Sequence, residues 1–155
     1  LPTLTTSAPL ASAQMGSKHN LYLVTCTREP DCLLGILCAP QRTPVTYTAV
    51  AYYANGPIES NRNQNPTSIT TVSQPRAPWE GSARTARINR LGDFASSIDA
   101  AAASIQKGQI AGTAKVGSED FVCFKDGATA LSVRTDLGLS GYSCTADYWC
   151  PSIQV

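Results

Sequence analysis

The sequence predicts an α+β domain: a curved antiparallel sheet or small β-barrel, one α-helix packed on its side, and disulfides clamping the ends. Three observations carry this. Short alternating segments rich in Thr, Val and Tyr recur along most of the chain, one alanine-rich stretch repeats its apolar residues at helical spacing, and six cysteines stand in two triplets. Cys26, Cys32 and Cys38 form one triplet, and Cys123, Cys144 and Cys150 the other. Each triplet is odd, so complete pairing requires at least one bridge between them. Cys38 and Cys123 are 85 positions apart (123 − 38), so that bridge closes a long loop. By chain entropy such a loop stabilises by roughly 4–5 kcal/mol. The pairing points to an oxidising compartment.

His19 to Arg28 reads as a strand with both faces covered. Cys32 to Cys38, with Gly35 at its centre and Pro30 and Pro40 at its flanks, reads as a compact turn or bent edge. Thr43 to Ala54 is the clearest strand, its alternating residues β-branched, aromatic or small on both faces. Asn55 to Thr67 is a loop, and Ser68 to Ser73 alternates again. Pro75 and Pro78 break that ladder before Ser82 to Ile88, which reads as a further strand although its Arg-Thr-Ala-Arg pattern also suits a helical turn. Asp93 to Lys107 is the predicted helix: Phe94, Ile98, Ala101, Ala102 and Ile105 share a face, Asp93 caps it and Gly108 stops it. Gln109 to Val116 and Asp120 to Lys125 follow as strands, and Asp126-Gly127 reads as a hairpin turn into Ala128 to Arg134. Tyr142 to Trp149 closes the domain.

The chain of 155 residues fits one domain, spanning 18–155 after an uncharged leader rich in Pro, Thr, Ser and Ala at 1–17. The amino terminus lacks the basic start and apolar run of a signal peptide, and the expectation is a secreted protein whose signal has been removed. No run approaches the ~18–20 apolar residues of a membrane-spanning helix. The net charge of +1 argues against nucleic acid as a partner. Charge is nonetheless uneven: six arginines face two glutamates between Arg42 and Arg90, and seven acids face four bases from Leu91 onward. That asymmetry suggests a basic face for an acidic partner, or a charge-complementary homodimer, against the simpler reading of a solvated loop.

Catalytic motifs are sparse. His19 is the only histidine, no glutamate stands in motif relation to it, and it reads as a surface or strand-edge residue. There is no Gly-x-Ser-x-Gly elbow. Adjacent Glu119 and Asp120 point to opposite faces of a strand and cannot form a glycosidase pair, and nothing selects Glu59 with Glu80. No metal spacing is present and no cofactor is expected. The expectation is a protein without enzymatic activity. Binding signals gather at Tyr52, Tyr53, Arg76, Trp79, Arg84, Arg87 and Arg90, residue types favoured at interface hot spots. The alternative for the tyrosines is a half-buried strand position with a wet hydroxyl.

A processed leader, six cysteines and Thr/Ser/Ala-rich strands without a catalytic motif resemble the small secreted cysteine-rich proteins of filamentous, plant-associated fungi. The resemblance covers the general character of Leu21 to Val155. It implies an extracellular effector or elicitor that binds a host or competitor protein or cell-wall component and modulates plant defence. The other expectations in order are an antimicrobial or killer-type toxin and a small secreted hydrolase. A homodimer through an exposed strand or the Tyr-rich face is expected as well.

Overall fold

The computed structural model describes residues 16–28, 44–59, 64–134 and 141–155. Nine strands follow one another: β1 (Asn20–Arg28), β2 (Val45–Tyr53), β3 (Ser68–Ser73), β4 (Ala83–Ile88), β5 (Gly92–Ile98), β6 (Ile110–Val116), β7 (Glu119–Lys125), β8 (Ala130–Arg134) and β9 (Gly141–Pro151). They form one antiparallel sheet in the order β3-β2-β1-β9-β7-β6-β5-β4, with β8 added against β9. β3 and β4 approach each other without pairing, so the sheet curls into a nearly closed barrel-like wall.

The predicted helix does not exist. Residues 92–98 are β5, and the alanine run turns through a single 3₁₀ turn at Ala102–Ser104. The class is therefore all-β among the described residues, not α+β. The cause is visible in the spacing. Phe94, Ile98 and Ala102 are four apart, an interval that suits both a helical stripe and every second strand position. In the fold Phe94, Ser96 and Ile98 point inward while Asp93, Ala95 and Ser97 point out. Ladders to β4 and β6 on either side hold residues 92–98 extended, and the four alanines left after them are too short a run to form a helix alone.

Asp126-Gly127 likewise makes no hairpin. β7 and β8 do not pair with each other; both pair along the same edge of β9, β8 with its first half and β7 with its second. The Asp126 carboxylate accepts from the Ala128 and Thr129 amides at 2.9 Å and from the Thr129 hydroxyl at 2.6 Å, holding a side-chain turn that hands β9 from one partner to the other. The tight hairpin lies one connection earlier, where Gly117 at φ 59° turns β6 into β7.

Inward-facing Leu21, Leu23, Val50, Trp79, Phe94, Phe121 and Tyr148 fill the interior, so the barrel encloses side chains. Packing is close enough that a Cβ on Gly112 would run into the Ser97 carbonyl of the next strand. A second cluster, with Tyr22, Val24, Cys26, Ala49, Ala51, Tyr53, Cys144 and Ala146, covers the outer face of β1, β2 and β9. Tyr22 there accepts from the Ile58 amide at 2.9 Å, and burial pushes its hydroxyl up to about 12. Half of the sheet is thus buried on both faces, and the outer face of β4 to β7 is open.

Cys26 bridges to Cys144 and Cys123 to Cys150, each pair with Cα atoms 4.0 Å apart. The first joins the two triplets, as their odd counts require. Cys32 and Cys38 lie outside the described residues. Of the segment 1–17, Gly16 and Ser17 are described: Gly16 is exposed, and Ser17 is buried, its hydroxyl donating to the Ser152 carbonyl at 2.7 Å.

The two bridges span 118 and 27 positions. By loop entropy they are worth roughly 5 and 3.5 kcal/mol. Replacing Cys26 and Cys144 together by alanine is therefore expected to lower stability more than replacing Cys123 and Cys150, by about 1 kcal/mol. Urea denaturation of the two double variants checks the order.

Candidate functional site

The two mouths of the barrel differ in chemistry. At one, His19 just before β1, Glu119 at the start of β7 and Tyr52 near the end of β2 face inward together. His19 Nδ1 lies 2.9 Å from Glu119 Oε2, with the two side chains 28% and 22% exposed. The Ser152 hydroxyl donates to the same carboxylate oxygen at 2.6 Å and accepts from the Gln154 and Val155 amides at 3.1 Å. The His19 ring meets Tyr52 edge-on at 5.6 Å. Burial, then the Glu119 charge, raises the Tyr52 hydroxyl. His19 is thus a strand-edge residue with a carboxylate partner. Glu119 is 100 positions away, and no local spacing could have announced it.

Ser152 is buried, so its hydroxyl, bonded to Glu119 and to two backbone amides, is closed to solvent. Its backbone N–H donates to the His19 carbonyl at 2.9 Å, while the Lys18 and His19 amides donate to Val155 at 2.8 and 3.1 Å. This mouth therefore clasps the start of β1 to the end of the chain. Nε2 of His19 remains the nitrogen available for proton transfer.

The opposite mouth is built around a bulge in β9. The β1–β9 register passes from Leu23↔Tyr148 to Val24↔Ala146, leaving Asp147 as the extra residue. The bulge lets Asp147 join Tyr148 on the inner side. Thr25 donates to Asp147 Oδ2 at 2.6 Å, and Arg76 Nε donates to the Thr25 hydroxyl at 3.3 Å. The Tyr148 hydroxyl donates to Glu80 Oε1 at 2.6 Å, and Lys125 Nζ sits 4.9 Å over the Tyr148 ring. Two acids, two cations and two hydroxyls thus meet at one opening, brought from four separate parts of the chain.

Burial is the main cause that raises the Asp147 carboxyl, and the Glu80 charge adds to it; the Thr25 bond, Arg76 and Lys125 oppose. Tyr148 is raised by burial and by its bond to Glu80. The segment that supplies Arg76 and Glu80 crosses the seam between β3 and β4. The Thr48 hydroxyl donates to the Ala77 carbonyl at 2.8 Å and the Arg76 amide to the Thr46 carbonyl at 3.1 Å. Trp79 anchors it in the core, edge-on to Phe94 at 6.3 Å.

The residues singled out from sequence separate into three groups. Tyr52, Tyr53 and Trp79 are buried and belong to the two cores, so the Tyr-rich face is not a surface. Packing of that kind is what alternating aromatic strands first serve. Arg76 is exposed and joins the charged mouth; Arg84 donates to the Pro78 carbonyl at 2.7 Å on the same crossing segment. Arg87 lies on the outer face, bonded to Asp93 at 3.1 Å, and Arg90 turns the β4–β5 loop at φ 69°. Sequence reading missed Glu80, Lys125 and Asp147; a bulge leaves no signature that would have aimed Asp147 inward.

Among the described residues no group of three or more His, Cys, Asp or Glu side chains is placed to hold a metal ion, and no helix is long and apolar enough to cross a membrane. The two disulfides are consistent with an extracellular setting. Comparison with protein-family models, curated proteins and solved structures finds no match.

Asp147 holds its proton to higher pH folded than unfolded. The stability its protonated form lends is complete below the ordinary carboxylate value of about 3.9 and is lost as pH rises through the raised value. Asp147→Asn, which keeps an oxygen for Thr25, is expected to raise the urea midpoint at pH 7 over wild type. The gain should fade below about pH 4, and denaturation at the two pH values checks it.

Proposed function

We propose that the chain is a secreted, non-enzymatic protein of the effector or elicitor type. It binds an extracellular protein or cell-wall component of a host or competitor and modulates plant defence. The observation that carries this reading is the charged mouth at the β9 bulge, set on a filled and disulfide-fastened scaffold. Arg76, Thr25 and Asp147 are chained by hydrogen bonds, with Glu80 held by Tyr148 beside them. Groups fixed in this way lose little freedom when a partner binds, which is what a recognition surface requires. Both signs of charge are present, so the partner is a polar surface of mixed charge. The interior is filled by side chains, among them Trp79, Phe94, Phe121 and Tyr148. The resemblance to small secreted cysteine-rich fungal proteins supplies the biological setting. A second copy of the chain is a further partner.

A small secreted hydrolase is the second reading, favoured by the His19–Glu119 pair, in which the carboxylate orients a ring whose other nitrogen could take a proton. Loss of a hydrolytic activity on RNA, glycan or ester in His19→Ala would replace the first reading with this one.

The deciding experiment applies purified oxidised protein to leaf tissue and reads the oxidative burst and defence-gene induction, with reduced and alkylated protein as control. The expected result is a response to the oxidised form alone, reduced at least tenfold by Arg76→Ala combined with Asp147→Asn, with folding checked by circular dichroism. A full response from that variant would remove the charged mouth from the reading. Silence across several plants would end the effector assignment, and selective killing of microbial cells would put a toxin in its place.

A further inference from the structure

The outer face of β4 to β7 carries its charges in a fixed order. Arg87 on β4 and Asp93 on β5 are bonded at 3.1 Å, and Lys115 on β6 and Asp120 on β7 lie 3.3 Å apart. Across four neighbouring strands the signs run plus, minus, plus, minus. Below this row the face is small: Ala83, Ala95, Ser97, Thr113 and Val122 floor a shallow groove of about 470 Å³, with exposed Ile153 at its margin.

We propose that this face is the contact surface of a two-fold homodimer. A second copy turned about an axis parallel to the strands lays its β4 over β7 and its β5 over β6. The order of signs is then reversed in the partner, so each Arg87 meets an Asp120 and each Asp93 a Lys115. The Arg87–Asp93 pair is offset from Lys115–Asp120 by one step of two residues. That is about 7 Å along the strands, within reach of arginine and lysine side chains. The four charges sum to zero, so the face does not select a strongly acidic or basic partner; the alternating order is matched by its own reverse. Small side chains beneath the row let two sheets approach to about 10 Å or less. The same four charges facing a copy shifted by one strand would set like against like, which fixes the register.

The test reads mass, independently of any biological response. Analytical ultracentrifugation of the oxidised chain at tens of micromolar is expected to give twice the monomer mass, with dissociation strengthening as salt rises. Arg87→Glu with Lys115→Glu makes the face wholly acidic, and Asp93→Lys with Asp120→Lys makes it wholly basic. Each is expected to be monomeric, with at least a tenfold weaker dimer, and an equimolar mixture is expected to recover a heterodimer. The side chains of Arg87 and Asp93 are 80% and 82% exposed, so little folding stability rests on their pair. Thr113→Arg, one bulky charge on the groove floor, gives a second route to the monomer. A monomeric wild type, charge variants that stay dimeric, or a mixture that fails to pair would each overturn the proposal.

Discussion

The structure depends on how β9 is held. It pairs with β1 along one edge and with β8 and then β7 along the other, so it touches more of the sheet than any other described strand. Both described disulfides end on it, Cys144 tied to β1 and Cys150 to β7. They are placed where sequence-distant strands meet. β1 and β9 begin 121 positions apart (141 − 20), and closing that contact is the largest entropic demand of the fold. A covalent link there removes most of that demand from the folding equilibrium, whereas the local hairpins β4–β5 and β6–β7 need none. The handover between β8 and β7 also explains the Asp126 turn: two strands sharing one edge need a defined stop between them.

The interior is filled but not perfectly satisfied. Trp79 Nε1 and Ser96 Oγ are buried without hydrogen-bond partners. Each such group costs on the order of 1–3 kcal/mol. Disulfides and the double burial of β1, β2 and β9 offset that cost. The polar chemistry that is satisfied lies at the two mouths, and the two are not equivalent. At the His19 mouth the polar atoms bond one another and the segments that flank β1 and β9. At the Asp147 mouth they include exposed Arg76 and half-buried Lys125, leaving cations at the surface.

Strands were legible where alternation was clear: Thr43 to Ala54 and Ser68 to Ser73 contain β2 and β3. Ser82 to Ile88, which suited a helical turn as well, contains β4, and the bridge between cysteine triplets followed from the parity of six paired cysteines. The helix was misread because Phe94, Ile98 and Ala102 satisfy both periods, and nothing local reveals that β4 and β6 flank the segment. Tyr52, Tyr53 and Trp79 carried a composition that fits interfaces and cores equally; only the register of β2, with Tyr52 inward and Tyr53 in the outer cluster, and the crossing of the 74–81 segment assign them to the two cores. The charged mouth was invisible for a different reason. Its four segments are separated by tens of positions, and one bulge decides that Asp147 faces Thr25.

A sheet covered on both sides over one half and on only its inner side over the other is asymmetric in a way that hydrophobicity alone does not explain. The covered half carries Val24, Ala49, Ala51 and Ala146 outward, and these are fully buried. The open half carries Ala83, Thr85, Ala95, Ser97 and Thr113 at the equivalent outward positions, small residues that lose little by exposure and hinder little on contact. An open face meant only for solvent is usually set with long charged side chains that keep other sheets away. Here the long charges are confined to one row and already paired, so they orient an approaching surface more than they repel it. The uneven distribution of charge along the sequence resolves in the same way: basic β4 and the acidic residues that follow it become alternating neighbours once the chain folds back strand upon strand.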